Sequence, residues 1–266
     1  MPKVMWLLVF ALAMSLAACG QRKYVTPGGP ADFCALGITH AQAEQNTDMD
    51  IEARMSRRPA ASFPAAITVI RVQSNDYRSM TNAGVGRGGY SIVTVRDVEN
   101  EEDIDRLAKL ACVRELGPLN RLVVPAQLND AKDVRLAASE LQSDIVLLYT
   151  FDTRFASDIT IPALGVISLG LLPNEVQRAS CTASAAFIDT RSGFIYGVCE
   201  ATANTDRLHN AWNSIEALDA ARRKSEATAF SRLVGEVTDT WTDIVRRYGP
   251  PGAVPELPGR VGTERR

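Results

Sequence analysis

The sequence predicts an α/β domain: a mixed sheet with flanking helices, closed by one long C-terminal helix. Three observations carry this. Strand-like and helix-like segments alternate from about residue 64 onward. Two apolar runs flank the turn residues Arg191-Ser192-Gly193, which is the pattern of a hairpin. Finally, Phe230, Leu233, Val234, Val237, Trp241, Ile244, Val245 and Tyr248 recur every three or four residues, giving one wide apolar stripe. Strands interleaved with helices and then a hairpin imply a mixed sheet.

The elements follow in order. Ile67, Val69, Ile70 and Val72 form a β-branched run and predict the first strand. Ile92–Val95, after a glycine cluster, predicts the second. Asn100 can cap a helix whose first turn holds Glu101 and Asp103, with Ile104, Leu107, Leu110 and Ala111 on one face and Gly117-Pro118 as its stop. Leu122-Val123-Val124 predicts a third strand. Residues 131–142 read as a helix with Val134, Ala137, Ala138 and Leu141 inward. Ile145–Tyr149 is continuously apolar, as a strand buried on both faces would be. Residues 180–203 read as the hairpin, Ala183–Ile188 rising and Phe194–Val198 returning. The last helix spans Ser214 to Tyr248, ended by Gly249-Pro250-Pro251, and the tail is rich in Pro, Gly and charge.

The N-terminus speaks of location. Lys3 precedes an apolar run from Val4 to Ala18, the length of a signal-peptide core and short of the roughly 20 residues that span a bilayer. Leu16-Ala17-Ala18-Cys19 closes it and resembles the bacterial lipobox. That resemblance implies cleavage between Ala18 and Cys19, lipid (diacylglyceryl and an acyl chain such as palmitate) on Cys19, and an anchor stable without help from the protein. Gly20-Gln21 in place of an aspartate favours the outer membrane, with the protein facing the periplasm. The expected organisation is therefore a signal peptide over 1–18, an anchor and tether over 19–62, a periplasmic α/β domain over 63–248 and a disordered tail over 249–266. Thr26-Pro27-Gly28-Gly29-Pro30 marks the tether as turn-rich, and residues 48–58 could form a short helix within it.

Composition excludes some functions. Hydrophobic residues at 46% and charged residues at 23% are ordinary for a globular chain, and a net charge of −2 without a basic block argues against nucleic acid. Cys34, Cys112, Cys181 and Cys199 have no CxxC or paired-His spacing, so no metal site is expected; in an exported chain they are either disulfides or buried free thiols. If the hairpin turn centres on Ser192, facing residues sum to about 384. Cys181 then faces Ala203 rather than Cys199, ~13 Å away along the strand, too far for a disulfide.

Candidate sites are few. Gly84-Val85-Gly86-Arg87-Gly88-Gly89 matches a dinucleotide fingerprint in letters, but strand-like residues follow where a helix N-terminus is needed, so no cofactor is expected. The two histidines, His40 in the tether and His209 near Asp206 in a polar loop, read as surface residues rather than catalytic ones. Asp152 and Asp189, near strand ends, are possible acid–base groups, although an aspartate before a turn usually binds backbone amides. Residues 161–173, apolar and punctuated by Gly and Pro, are core or else a contact for an oligomer, a partner or the membrane.

Ser143-Asp144-Ile145-Val146-Leu147-Leu148-Tyr149-Thr150 resembles an element of the curli-secretion lipoprotein family, and Phe187-Ile188-Asp189-Thr190-Arg191-Ser192-Gly193-Phe194-Ile195-Tyr196-Gly197 resembles its hairpin. Penicillin-binding-protein activator lipoproteins share that fold, which is anticodon-binding-domain-like. The resemblance implies fold and location, and no functional residue besides Cys19. Residues 161–173 lack the alternation of the family's barrel hairpins, so a pore is not implied. The function expected is a non-enzymatic envelope module that binds a partner or assists assembly. The alternatives are an oligomeric secretion or export component and an envelope hydrolase.

Overall fold

A computed structural model describes residue 31 and residues 48–79, 82–159, 175–209 and 214–254. The strands are β1 (Ala65–Gln73), β2 (Arg87–Gly88), β3 (Ser91–Val93), β4 (Val113–Pro118), β5 (Gln127–Leu128), β6 (Ile145–Ile159), β7 (Glu175–Asp189) and β8 (Ile195–His209). The helices are α1 (Asp48–Met55), α2 (Glu101–Ala108), α3 (Ala131–Glu140) and α4 (Ser214–Tyr248). The predicted class holds: a mixed α/β sheet, flanking helices and a long closing helix.

Six strands make the main sheet, in the order β3-β1-β6-β7-β8 with β4 also on β1. On one edge β1 pairs in parallel with β6. The other edge is shared: β4 runs parallel to its first half and β3 antiparallel to its second. From β6 onward the sheet is antiparallel over three strands of 15 residues each. At ~3.3 Å per residue each is about 50 Å long, and the 35-residue α4 is about 52 Å long. The helix thus matches the strands in length, and it lies mainly along β7 and β8.

The sheet has an apolar core on each face. On one face Ile67, Ile145, Leu147, Tyr149, Phe151, Ala183 and Phe187 pack against Phe230, Leu233, Val237, Trp241 and Ile244 of α4 and against Leu107 of α2. On the other, Ile70, Val146, Leu148 and Ile188 pack against Val134, Ala137 and Ala138 of α3 and against Tyr90 and Leu128. Ala31 is buried on this second face and donates its N–H to Thr150 Oγ1 at 3.2 Å. The predicted stripe on α4 is the one that faces the sheet.

Several expectations are corrected. Leu122-Val123-Val124 is not a strand: Arg121–Val123 is a 3-10 turn capped by Asn120, and Leu122 points into solvent at 92% exposure. The strand lies just upstream as β4, where residues expected only to stop a helix pair with β1 through their backbone. Leu141 caps α3 and faces outward rather than inward. The central strand and the hairpin arms run about three times as far as their apolar runs. The short helix expected within residues 48–58 is present as α1. Residues 161–173 lie outside the described residues.

Trp241 is the keystone of the first core. It is 1% exposed, its ring lies 5.5 Å from Phe187 and 5.7 Å from Phe63, and its Nε1–H donates to the Ala111 carbonyl at 2.8 Å. Trp241→Ala is expected to cost about 3–5 kcal/mol in urea denaturation. Trp241→Phe keeps most of the ring contact but leaves the carbonyl unpaired, and is expected to cost about 1–3 kcal/mol.

Candidate functional site: a buried charge cluster beneath a three-stranded arm

Beyond Phe151 the sheet continues as an arm, and there the seam between α4 and the sheet changes from apolar to ionic. Asp219, Arg222 and Glu226 continue the three-and-four spacing of the Phe230 stripe toward the start of the helix, and all three are buried. They meet Arg71 of β1, which is 2% exposed. Arg71 Nη1 lies 3.1 Å from Asp97 Oδ1 and 3.3 Å from Glu99 Oε1, and Nη2 donates to Tyr77 OH at 3.0 Å. The guanidinium also sits 4.7 Å from the Phe151 ring centre and 5.4 Å from that of Tyr77.

Arg222 joins the same network. Its Nη1 donates to Glu226 Oε2 at 2.6 Å and its Nε to Asp219 Oδ1 at 3.1 Å. Glu226 Oε2 is 3.6 Å from Arg71 Nη2, while Oε1 accepts from Thr153 Oγ1 of β6 at 3.0 Å. Tyr149 OH donates to Glu99 Oε1 at 2.7 Å. One connected set of charges thus binds β1, the loop before α2, β6 and α4.

The protonation states fit this layout. Burial opposes the charge on Arg71, but Glu99, Tyr77 and Glu226 more than offset it, so its pKa is raised. The same balance, led by Glu226 against burial, raises Arg222. Burial pushes the Glu226 carboxyl up, and the two arginines only partly counter it. Burial and then Glu99 push the Tyr149 hydroxyl well up. The groups are spent on one another. The neighbouring cavity, lined by Arg71, Ile92, Arg96, Ile104, Leu116 and Tyr149 among others, measures about 20 Å³, room for a water molecule. The cluster holds the arm to the core and offers no space for a substrate.

At the opposite end of the strands two acids tie the hairpin turn to the chain entering β1. Asp189 Oδ1 accepts from the N–H groups of Arg191 and Ser192, both at 2.9 Å. Its Oδ2 accepts from Ala60 N (2.7 Å), Ala61 N (2.8 Å) and Tyr196 OH (2.8 Å). Asp144 accepts from Ala66 N, Arg114 Nη2 and Arg191 Nη1, each at 3.1 Å. Residues 60 and 61, expected in the tether, are therefore docked. Burial works against the Asp189 charge, but these donors outweigh it and hold the carboxyl below its usual range.

Asp152 and Asp189, which could in principle have done acid–base work, do not come together. Asp152 lies in mid-strand rather than at a strand end, paired with Arg154 at 3.0 Å. Ile145 faces Asp189 across β6 and β7, and Asp152 lies seven residues along, ~23 Å away. His209 is the last residue of β8, facing Glu175, and not in a loop. Ala18, Cys19, Cys34 and His40 lie outside the described residues. Cys181 faces Ala203 as the register predicted, and Cys112, Cys181 and Cys199 are free thiols. Burial pushes the Cys181 thiol up to about 12 and Cys199 up to about 11, which makes both poor nucleophiles at neutral pH. After the glycine loop comes strand β3, and Gly86 and Gly88 serve the close β2–β5 pairing. Gly88 has φ +133°, and a Cβ there would lie 2.4 Å from the Leu128 carbonyl oxygen. Among the described residues no group of His, Cys, Asp and Glu is placed to hold a metal ion, and no helix is long and apolar enough to cross a membrane.

The surface left open is the arm's outer side. β8 is the edge strand, and among the described residues no strand pairs with its free side. Val198, Glu200, Thr202 and Asn204 are exposed on the face away from α4, and Arg232 Nη1 of α4 donates to the Thr202 carbonyl at 2.6 Å.

No family model and no curated protein matches the chain. Solved structures resemble it in part. A Xanthomonas campestris protein of the DUF330 family is 11% identical, covering 72% of this chain and 92% of its own, at a TM-score of 0.35. A Helicobacter pylori protein described as a homologue of a neuraminyllactose-binding hemagglutinin is 11% identical, covering 72% and 94%, at 0.34. A Neisseria meningitidis lipoprotein is 14% identical, covering 66% and 99%, at 0.29. At TM-scores this low none of them carries an argument about what this chain does.

The depressed Asp189 carboxyl makes a pH prediction. Its contribution is full above its unfolded pKa and is lost as pH falls through the lower folded value. Asp189→Asn is expected to lose about 2–3 kcal/mol near neutral pH. Urea titrations from about pH 6 down to about pH 2 should show the gap between wild type and variant closing as the pH falls.

Proposed function

We propose that the chain is a bacterial lipoprotein that binds another envelope protein and performs no chemistry itself. In this reading residues 1–18 are a signal peptide, Cys19 carries lipid, residues 19–62 are anchor and tether, residues 63–248 are the periplasmic domain and residues 249–266 a disordered tail. The membrane is the outer one, with the domain facing the periplasm. The lipobox supports the location. The observation that carries the binding role is the arm: a 15-residue edge strand, β8, with no strand on its free side among the described residues. An open edge with exposed polar side chains accepts an extended segment of a partner through its backbone groups. The docking of Ala31 on the sheet supports a short leash, since the 12 residues from Cys19 to Ala31 reach at most ~43 Å.

One other reading draws on the same edge. An oligomeric secretion or export component would pair the β8 edge with a second copy. The hydrolase reading has no support in the placement of Asp152, Asp189 and the thiols.

One experiment in intact cells addresses both halves, with palmitate labelling and a photocrosslinker at the exposed Thr202. The wild type is expected to take up label, and Cys19→Ser to take up none. Thr202 is expected to crosslink to a different envelope protein. Labelling that persists in Cys19→Ser refutes the anchor, and crosslinks only to the same chain favour the oligomer.

A further inference from the structure

The hairpin-turn end of the domain carries an arrangement that partner binding at the arm does not use. Two guanidiniums converge on residues 190–193, which themselves supply a third. Arg57 Nη1 donates to the Gly193 carbonyl at 3.2 Å. Arg135 Nε donates to the Thr190 carbonyl at 2.9 Å, and its Nη2 to the Arg191 carbonyl. Arg191 binds Asp144 while its side chain stays 61% exposed. The carboxylates beneath, Asp144 and Asp189, are buried and already accept several hydrogen bonds each. Arg57, Arg58 and Arg191 are exposed at this end, with Glu52 of α1 the exposed acid nearest to them in sequence. After burial, the neighbouring Arg57 is the next cause holding the Arg135 guanidinium below its usual range. Asp189 and Asp130 offset this only in part, and a further anion lying against both guanidiniums favours their charge.

Exposed apolar side chains surround the same turn. Arg57 places the end of α1 there, with Ile51 and Met55 in solvent. Ile195 follows the turn, partly exposed. Tyr248, at the end of α4, packs edge-on to Phe194 and Tyr196 with part of its ring uncovered. Guanidiniums beside exposed Met, Ile and Tyr are the composition of a surface that lies in a lipid interface: arginines take phosphate oxygens, and the apolar and amphipathic groups enter the headgroup layer.

We propose that this end of the domain docks on anionic phospholipid, with Arg57, Arg135 and Arg191 on headgroup phosphates and Met55, Ile195 and Tyr248 in the interfacial layer. The arm then projects away from the bilayer. Thr150, where Ala31 docks, lies six residues along β6 from Asp144, ~20 Å from this end, so a 12-residue leash from the bilayer reaches it. The docking does not require lipid on Cys19, so it stands or falls apart from the anchor.

Hydrogen exchange on the full chain in lipid nanodiscs tests this, comparing phosphatidylcholine alone with discs containing about one third phosphatidylglycerol. Amides of residues 48–58 and 190–195 are expected to exchange at least about five-fold slower on the anionic discs. Arg57→Glu with Arg58→Glu should abolish that difference while β6 amides, the check on the fold, stay unchanged. Equal exchange on both discs, as a site for an acidic protein would give, overturns the proposal. So does slowing that persists in the double variant with β6 intact.

Discussion

The structure depends on one seam, the face of α4 that lies along the sheet. Strands of 15 residues that reach well past the compact core cannot be held by their neighbours' apolar contacts alone. A helix of equal length holds them, with its contact face spaced by threes and fours from Asp219 to Val245. Over most of that length the seam is aromatic and aliphatic, centred on Phe230 and Trp241. Toward the helix start it becomes Asp219, Arg222 and Glu226 against Arg71. Burying two guanidiniums is costly, and removing any one partner from such a network leaves an orphan charge. The acids come from a loop and from the helix itself, so the ionic stretch forms only when strand, loop and helix are all in place. That dependence gives the arm a defined direction.

The two ends of the sheet use carboxylates differently. At the arm's root they neutralise arginines in a dry interior. At the hairpin turn, Asp189 collects backbone and hydroxyl donors while Asp144 takes one backbone N–H and the guanidiniums of Arg114 and Arg191, and together they stitch the chain entering β1 to the turn. These two aspartates stand in the stretches 143–150 and 187–197, and their place in one hydrogen-bonded knot accounts for aspartate at both. Neither end gathers a nucleophile, a base and room for a substrate. Among the described residues, what remains is surface: the β8 edge, with no strand on its free side, and the exposed arginines and apolar side chains near the hairpin turn.

Much of the fold was legible because periodicity reports directly on which side is buried. The α4 stripe, the Asn100 cap, the α3 face at Val134, Ala137 and Ala138, and the pairing of Cys181 with Ala203 could all be read from spacing. β4 could not, because an edge strand held by backbone bonds has no side-chain pattern to show. The outer halves of β6, β7 and β8 hid for a related reason: one face there is polar, so Asp152 and Arg154 looked like an end rather than an alternation. Leu122-Val123-Val124 misled in the opposite sense, three apolar residues in a turn before Pro125. The charge cluster brings Arg71 to Glu226 and Asp97 to Arg222, each more than a hundred positions apart, which no local pattern encodes. It left two signs: an arginine inside the apolar run of β1, and a helix stripe that goes on in charged residues where its apolar ones stop.

The central claim is that the ionic part of the α4 seam is held as firmly as the apolar part. Amide hydrogen exchange along the helix measures this directly. The account predicts that amides from Arg222 to Ala229 exchange as slowly as those from Leu233 to Val245, both opening only with β6. Fast exchange from Arg222 to Ala229 while Leu233–Val245 stays protected would contradict it, because the charges would then decorate a frayed end rather than fix the arm.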